Sequence, residues 1–259
     1  MLAVKPTFLQ DAENSAKDLK TLLQFWPVLF FACYPMMSQT PSGPCTDPSA
    51  EIVAAPAPAN LKLDAAHPAA AWNGASPIRF CSDWQGNHPD PERETQVRVL
   101  WSPTTLYLRF DCRYRDLHVF EDSEPVGRRD HLWDRDVAEV FLQPDPTKPK
   151  HYKEFEVSPN GMWIDLDLAP GAKPDLQSGM TRSVFLDEKS KKWAAELAIP
   201  MKALTAAFDP KGTWRVNFFR VEGKKEPRGY YAWHPTHTPQ PNFHVPEAFG
   251  NLRFAAQEK

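Results

Sequence analysis

The chain has 259 residues, 42% of them hydrophobic and 24% charged, which suffices for one large β domain or two small ones. A formal net charge of -3 and the lack of any Lys/Arg-rich stretch supply no field for phosphates, so nucleic acid is excluded as a partner. Twenty-seven prolines against 11 glycines suggest stiff loops and edge strands over flexible linkers.

Residues 1–38 read as a leader of the signal or lipoprotein type. Thr21 to Ser38 (TLLQFWPVLFFACYPMMS) is apolar, follows Lys17 and Lys20, and runs into the small and polar stretch Ser38 to Gly43. Asp11, Glu13 and Asp18 are unusual for the start of such a segment, and no Ala-x-Ala site follows. The apolar run is too short and too interrupted by proline to span a membrane. The expectation is a secreted, periplasmic or outer-surface protein with no spanning segment in its mature form.

Residues 39–59 read as a Pro/Ala-rich spacer, residues 60–255 as one folded domain and 256–259 as a tail. Removing the leader after Cys33 leaves Cys45, Cys81 and Cys112, room for one bridge and one thiol. Cys112 is in phase with Leu106, Leu108 and Phe110 and is assigned to the core, which makes Cys45–Cys81 the candidate bridge. No C-x-x-C pair is present to support structural zinc. Trp72, closing Leu61 to Trp72, is expected to anchor the lead-in against the core.

Strand patterns then follow one another. Gln96, Arg98 and Leu100 alternate with Val97, Val99 and Trp101; a turn at Ser102 to Thr105 and the alternating Leu106 to Tyr114 complete a hairpin. Further strands are expected at Asp136 to Pro144, Lys153 to Gly161, Met162 to Leu168, Thr181 to Asp187, Lys192 to Pro200, Thr213 to Gly223, Tyr230 to Trp233 and Asn251 to Phe254. Only Met201 to Phe208 reads as a helix, and a short one. Many short strands punctuated by Pro, Gly, Asn and Asp predict an all-β fold, an antiparallel β-sandwich of jelly-roll type, with a closed barrel as the alternative.

The stretch Gly229 to Phe254 (GYYAWHPTHTPQPNFHVPEAFGNLRF) sets Tyr230, Tyr231, Trp233, Phe243 and Phe249 among prolines and imidazoles. Aromatic rings held in stiff loops can stack on the C–H face of a sugar at little entropic cost. Gln240, Asn242 and His244 flank Phe243 with neutral donors and acceptors that suit hydroxyls, or that bond within their own loop. Trp233 ends a strand beside this segment. Trp133, after the charged run Arg128 to His131, is expected at least half exposed, whereas Trp101, Trp193 and Trp214 lie inside strand patterns and belong to the core. In a strand over Asp136 to Gln143, Glu139 shares a face with Val137 and Phe141. An acid there needs a partner, either a ligand or an arginine such as Arg98, Arg109 or Arg220.

The order LDAAHPAAAW, VRVLWSPTTLYLRFDCRY, HLWDRDVAEVFLQPD, YKEFEVSPNGMWIDL, WAAELAIPMKAL, WRVNFFRVEG, YYAWHPT and FHVPEAFGNLRF resembles the family 9 carbohydrate-binding modules over about residues 60–254. The resemblance implies a β-sandwich that binds mono- and oligosaccharides, sometimes with structural calcium. It places Trp133 on one side of a sugar slot and Phe243, where the family carries tryptophan, on the other. Glu139 corresponds to a carboxylate that accepts from sugar hydroxyls, and Glu156 falls where the best-known pattern has arginine.

The expected function is therefore non-catalytic carbohydrate binding by a monomer, in polysaccharide recognition or catabolism. No cofactor is expected beyond structural calcium, for which Asp116, Asp122, Asp130, Asp134, Asp136, Asp165 and Asp167 offer hard oxygens. The five histidines from His131 to His244 have no ligand spacing for a transition metal. G-x-S-x-G, G-x-x-x-x-G-K and G-x-G-x-x-G are all missing. Two alternatives stay open: a glycosidase using Glu139 with Glu156 or Asp136, and a haem-binding redox sandwich ligated by Met162, Met180, Met201 or a histidine.

Overall fold

A computed structural model describes residues 45, 49–58, 60–121, 127–171 and 175–257; the expected leader and Asp122 lie outside them. The described strands are β1 (Glu51–Pro56), β2 (Ile78–Phe80), β3 (Thr95–Ser102), β4 (Thr105–Arg113), β5 (Val137–Gln143), β6 (Tyr152–Val157), β7 (Trp163–Leu168), β8 (Thr181–Asp187), β9 (Lys192–Pro200), β10 (Trp214–Glu222), β11 (Gly229–Ala232) and β12 (Gly250–Phe254). The α-helix α1 (Met201–Leu204) is four residues long, shorter than the expected Met201 to Phe208. Among the described residues no helix is long and apolar enough to cross a membrane.

The strands form one path in the order β7-β6-β5-β10-β12-β1-β3-β4-β9-β8, with β11 beside β10 and β2 beside β3. Two blocks are antiparallel within themselves, as the hairpin β3–β4 shows by pairing Ser102 with Thr105. The strand β1 joins them, and both of its pairings are parallel: Glu51 to Ala54 run beside Asn251 to Phe254, and Ala55 and Pro56 beside Leu100 and Trp101. The sheet is therefore mixed, where the sequence led us to expect antiparallel pairing throughout. The joining strand lies inside the stretch read as a spacer; Ile52 and Ala54 turn inward while Val53 stays exposed, the period of 2 that a half-buried strand requires. Pro56 is tolerated because it ends the strand.

The curled sheet encloses a core drawn from both blocks. Val97, Val99 and Trp101 of β3 and Leu106, Leu108, Phe110 and Cys112 of β4 meet Val140 and Leu142 of β5, Val216 and Phe218 of β10, and Leu252 of β12. Trp101, Trp193 and Trp214 are all in it, as their strand positions require. The Cys112 thiol is pushed up to about 11 by burial, so it is an apolar core group rather than a reactive one. Trp72 packs on Leu100 and Tyr107 from outside, the anchor its position suggested. Cys45 and Cys81 form a disulfide with Cα atoms 5.1 Å apart, tying the segment before β1 to the end of β2.

The opposite face of β5, β6, β7, β10 and β11 is also covered. Val137, Phe141, Tyr152, Phe219, Val221 and Ala232 carry a second apolar cluster, roofed by Leu132, Phe243 and Phe249 from the connecting segments. Strands buried on both faces read as nearly continuous apolar runs, and all seven residues of β5 are buried. Polar side chains on that second face consequently lie at the bottom of whatever opening the roof leaves.

Candidate functional site

The roof leaves a cavity of about 220 Å³, lined by Trp133, Asp134, Glu139, Phe141, Glu154, Val221, Arg228, Tyr230, Pro241, Asn242, Phe243 and His244. Its floor is set by strand register. On β5, Glu139 stands opposite Glu156 of β6 and opposite Phe219 of β10. Phe141, two residues on, stands opposite Glu154. Alternation puts Glu139, Glu154 and Glu156 on the same face, and their carboxylate oxygens lie within 4.8 Å of one another. Like charges directly opposite on neighbouring strands repel.

These carboxylates are almost wholly withdrawn from water: Glu139 is 2% exposed, Glu154 3% and Glu156 0%. Oε1 of Glu139, Oε2 of Glu154 and both oxygens of Glu156 accept no hydrogen bond from an N–H or hydroxyl among the described residues, while the Glu156 and Glu154 side chains hydrogen-bond to each other. Burial pushes the Glu139 carboxyl well above the usual range, the charge of Glu154 adds to this, and Arg228 and Arg220 oppose it. Glu156 is pushed up in the same way, by burial and then by Glu139 and Glu154. The arginine partners considered for Glu139 are engaged elsewhere. Arg98 pairs with Asp111 at 3.2 Å and Arg109 with Glu196 at 2.7 Å. Arg220 faces the main core over the Trp193 ring, donating to the carbonyls of Val137 and Val221.

The walls come from three connections. A 3-10 turn over Leu132–Asp134 enters β5, with Leu132 fully buried as its pin. Trp133 is left half-buried at the cavity, its ring 4.8 Å from that of His131. Arg228, between β10 and β11, donates through Nε to the Gly223 carbonyl at 3.2 Å and through NH1 to the Trp133 carbonyl at 3.4 Å. It also stands 3.7 Å from the buried Asp136 carboxylate, so its guanidinium holds the two rims together. From the third connection Phe243 lies flat on Phe219, centroids 4.2 Å apart at 11°, and only 8% of it is exposed. One ring face is thus occupied by Phe219, and Tyr230 meets the ring edge-on at 6.3 Å. His244 accepts or donates through Nδ1 at 2.8 Å from the Tyr152 hydroxyl, and Asn242 Oδ1 accepts from the His244 backbone N–H at 3.0 Å.

Of the residues singled out by sequence, Trp133, Glu139, Asn242, Phe243 and His244 meet at this cavity. Glu156 adjoins it through Glu139 without lining it. Gln240 is exposed and outside the lining, with its carbonyl accepting from Thr238 Oγ1 at 2.7 Å. Trp233 must be reassigned: it is 4% exposed in the main core, tilted against Phe218 at 5.6 Å. The reason is parity along β11. Tyr230 opposes Val221 and Ala232 opposes Phe219, both on the cavity face, so Tyr231 and Trp233 turn to the other side. Tyr230, in place of Trp233, lines the cavity, and counting by twos along YYAW separates the two.

Glu154 and Arg228 were also missed. Glu154 was accessible in principle, being two residues from Glu156 and so on its face, whereas Arg228 reaches the site only because β10 and β11 form a hairpin. Among the described residues the aspartates considered for calcium form no cluster of three. Asp165 accepts from the Ser178 N–H at 2.8 Å and pairs with Arg128, and Asp167 pairs with Lys153 at 3.0 Å and His151 at 2.6 Å. Among the described residues it is the glutamate trio that could accept a cation.

The chain matches the family described as "Carbohydrate family 9 binding domain-like" over residues 63–256. It is 29% identical over 174 residues to an "Extracellular protein" of Arthroderma benhamiae, an overlap of 61% of this chain and 75% of that one. Among solved structures, one from Bacteroides uniformis is similar with a TM-score of 0.66 at 17% identity, covering 79% of this chain and 99% of that chain. A family 9 carbohydrate-binding module from Caldicellulosiruptor kristjanssonii, in complex with glucose, is similar with a TM-score of 0.58 at 14% identity, covering 80% of this chain and 97% of that one. The same organism's module in complex with cellotriose gives 0.57. Likeness at such identities concerns the fold.

Proposed function

Because the chain belongs to the family 9 carbohydrate-binding domain-like proteins, we propose that it binds a sugar, without cleaving it, in the cavity between Trp133 and Phe243. One observation carries this reading: aromatic side chains on two separate connections meet over a buried carboxylate floor in a cavity of about 220 Å³. That is below the roughly 300–1,000 Å³ of sites for drug-sized ligands and suits a single sugar ring, such as a chain end. Trp133 offers a broad ring face, Phe243 and Tyr230 the opposing contacts. Glu139 accepts from hydroxyls, with Asn242 and His244 at the rim.

The glycosidase alternative is disfavoured by geometry. Catalytic carboxyls stand on either side of a scissile bond, at least about 5 Å apart with the substrate between them. Glu139 and Glu156 are cross-strand neighbours on one face, and Glu156 does not line the cavity. Asp136 instead accepts from the Gly223 N–H at 2.9 Å. For the haem alternative, Met180 and Met201 pack in the main core and Met162 in the second cluster, so these sulfurs are taken up by packing.

An extracellular or surface location is part of the same proposal. It is supported by the Cys45–Cys81 disulfide, since such bonds persist in oxidising compartments, and by the name of the fungal relative. The test is titration calorimetry of the full chain with glucose and cellotriose, repeated on Trp133→Ala. Trp133 is half-buried, so losing its ring should weaken binding by about 1–3 kcal/mol with little change in melting temperature. Unchanged affinity in Trp133→Ala would remove the cavity from sugar binding.

A further inference from the structure

The cavity floor holds more negative charge than a neutral sugar can use. A pair of hydroxyls donates two hydrogen bonds and no charge. Glu139 and Glu154 already offer more acceptors than that, and Glu156 adds a third buried carboxylate beside Glu139. Four oxygens of this trio accept no hydrogen bond from an N–H or hydroxyl among the described residues. Ionised carboxylates left so cost free energy unless a cation or strong donors reach them.

The surrounding charges offset this only in part, since Arg228 and Arg220 act on Glu139 but are outweighed by its burial. Asp134, on the turn entering β5, lines the cavity with a further carboxylate. Arg228 is its one arginine or lysine, and its hydrogen bonds go to the carbonyls of Gly223 and Trp133 on the rim. Arg220 lies on the other face of the sheet, bonded to backbone carbonyls. The lining also includes the rings of Trp133, Phe141, Tyr230 and Phe243; aromatic faces attract positive charge, and the Arg228 guanidinium already lies 5.9 Å over Tyr230.

On the carbohydrate-binding reading above, we propose that the preferred ligand is a sugar bearing a protonated amine, with the ammonium seated on Glu139 and Glu154 and the ring against Trp133. An ammonium brings three donors and one positive charge, which matches both demands of the floor at once.

The test is calorimetry on the full chain at low salt and neutral pH, with glucosamine, glucose, N-acetylglucosamine and calcium chloride as separate titrants. Glucosamine should bind tighter than glucose by about tenfold or more, the size of one desolvated charge-assisted contact. N-acetylation, which removes the charge, should abolish the advantage, and added salt should reduce it. Glu139→Gln, which removes one of the two carboxylates under the ammonium, should shrink the glucosamine-to-glucose ratio several-fold. If glucose binds as tightly as glucosamine, this inference fails while carbohydrate binding stands. If neither sugar binds, both fail. Calcium that binds alone and excludes glucosamine would assign the trio to a metal and overturn the proposal.

Discussion

Replacing Glu156 by glutamine should stabilise the ligand-free protein at neutral pH, although the residue is completely buried. Neither carboxylate oxygen accepts a hydrogen bond from an N–H or hydroxyl among the described residues, one oxygen each of Glu139 and Glu154 lies within 4.8 Å, and the side-chain hydrogen bond to Glu154 needs a proton between the two carboxyls. Burial and those two charges push the Glu156 carboxyl well above its ordinary 4.5. The folded state therefore holds a proton that the unfolded chain releases as pH rises through that ordinary value. Stability is full below the unfolded pKa and is lost as pH climbs toward the folded one, at up to about 1.4 kcal/mol per pH unit. Glutamine keeps the volume, carries no charge and presents two N–H donors to its acidic neighbours. An unsatisfied buried polar group costs about 1–3 kcal/mol, and more when charged, so a gain of about 2 kcal/mol is expected at neutral pH. In a domain of this size that raises the melting temperature by about 4–8 °C. Thermal melts followed by circular dichroism, across a pH series from about 4 to 8, should show the two proteins converging at the acid end, where both carboxyls are protonated. A variant that melts lower than wild type at neutral pH, or a gap independent of pH, would refute the reasoning.

Phe243→Ala should cost about 3–5 kcal/mol of stability, because the ring is 8% exposed and stacked on Phe219 at 4.2 Å. An unchanged melt with lost sugar binding would show instead a ring held only for the ligand. Trp233→Phe should lower the melting temperature and leave sugar affinity as it was, since Trp233 packs on Phe218 in the main core; the reverse pattern in calorimetry would return it to the site. Cys81→Ala opens a bridge between residues 36 apart in sequence, for which loop-closure entropy predicts a loss of about 4 kcal/mol, measurable by denaturant titration. The Cys112 thiol, pushed up to about 11 and fully buried, should resist alkylation in the native protein near neutral pH and react once the chain is unfolded; ready native labelling, read by mass spectrometry, would contradict its burial.

Much of this protein was legible in its local patterns. Period-2 alternation over Gln96 to Tyr114 settled the hairpin, and the same rule put Trp101, Trp193 and Trp214 in the core and Glu139 on the face of Phe141, because side-chain direction in a strand depends only on residue count. The order of motifs from LDAAHPAAAW to FHVPEAFGNLRF also pointed to the family. Pairing was another matter. That Glu51 to Pro56 would run parallel to both β12 and β3, and so make the sheet mixed, depends on partners about 200 residues away in one case and 45 in the other; no local signal distinguishes such a strand from a Pro/Ala-rich spacer. The site was split along the same line. Trp133, Glu139 and Phe243 could be named from the chain, but the charge on the floor could not. It exists because register brings Glu156 opposite Glu139 and Glu154 opposite Phe141, and because Arg228, arriving on a separate hairpin, spends its hydrogen bonds on backbone carbonyls. Single residues carry their chemistry in the sequence, whereas a carboxylate's partners, and with them its protonation and the charge of the ligand it prefers, are decided only when distant strands are set side by side.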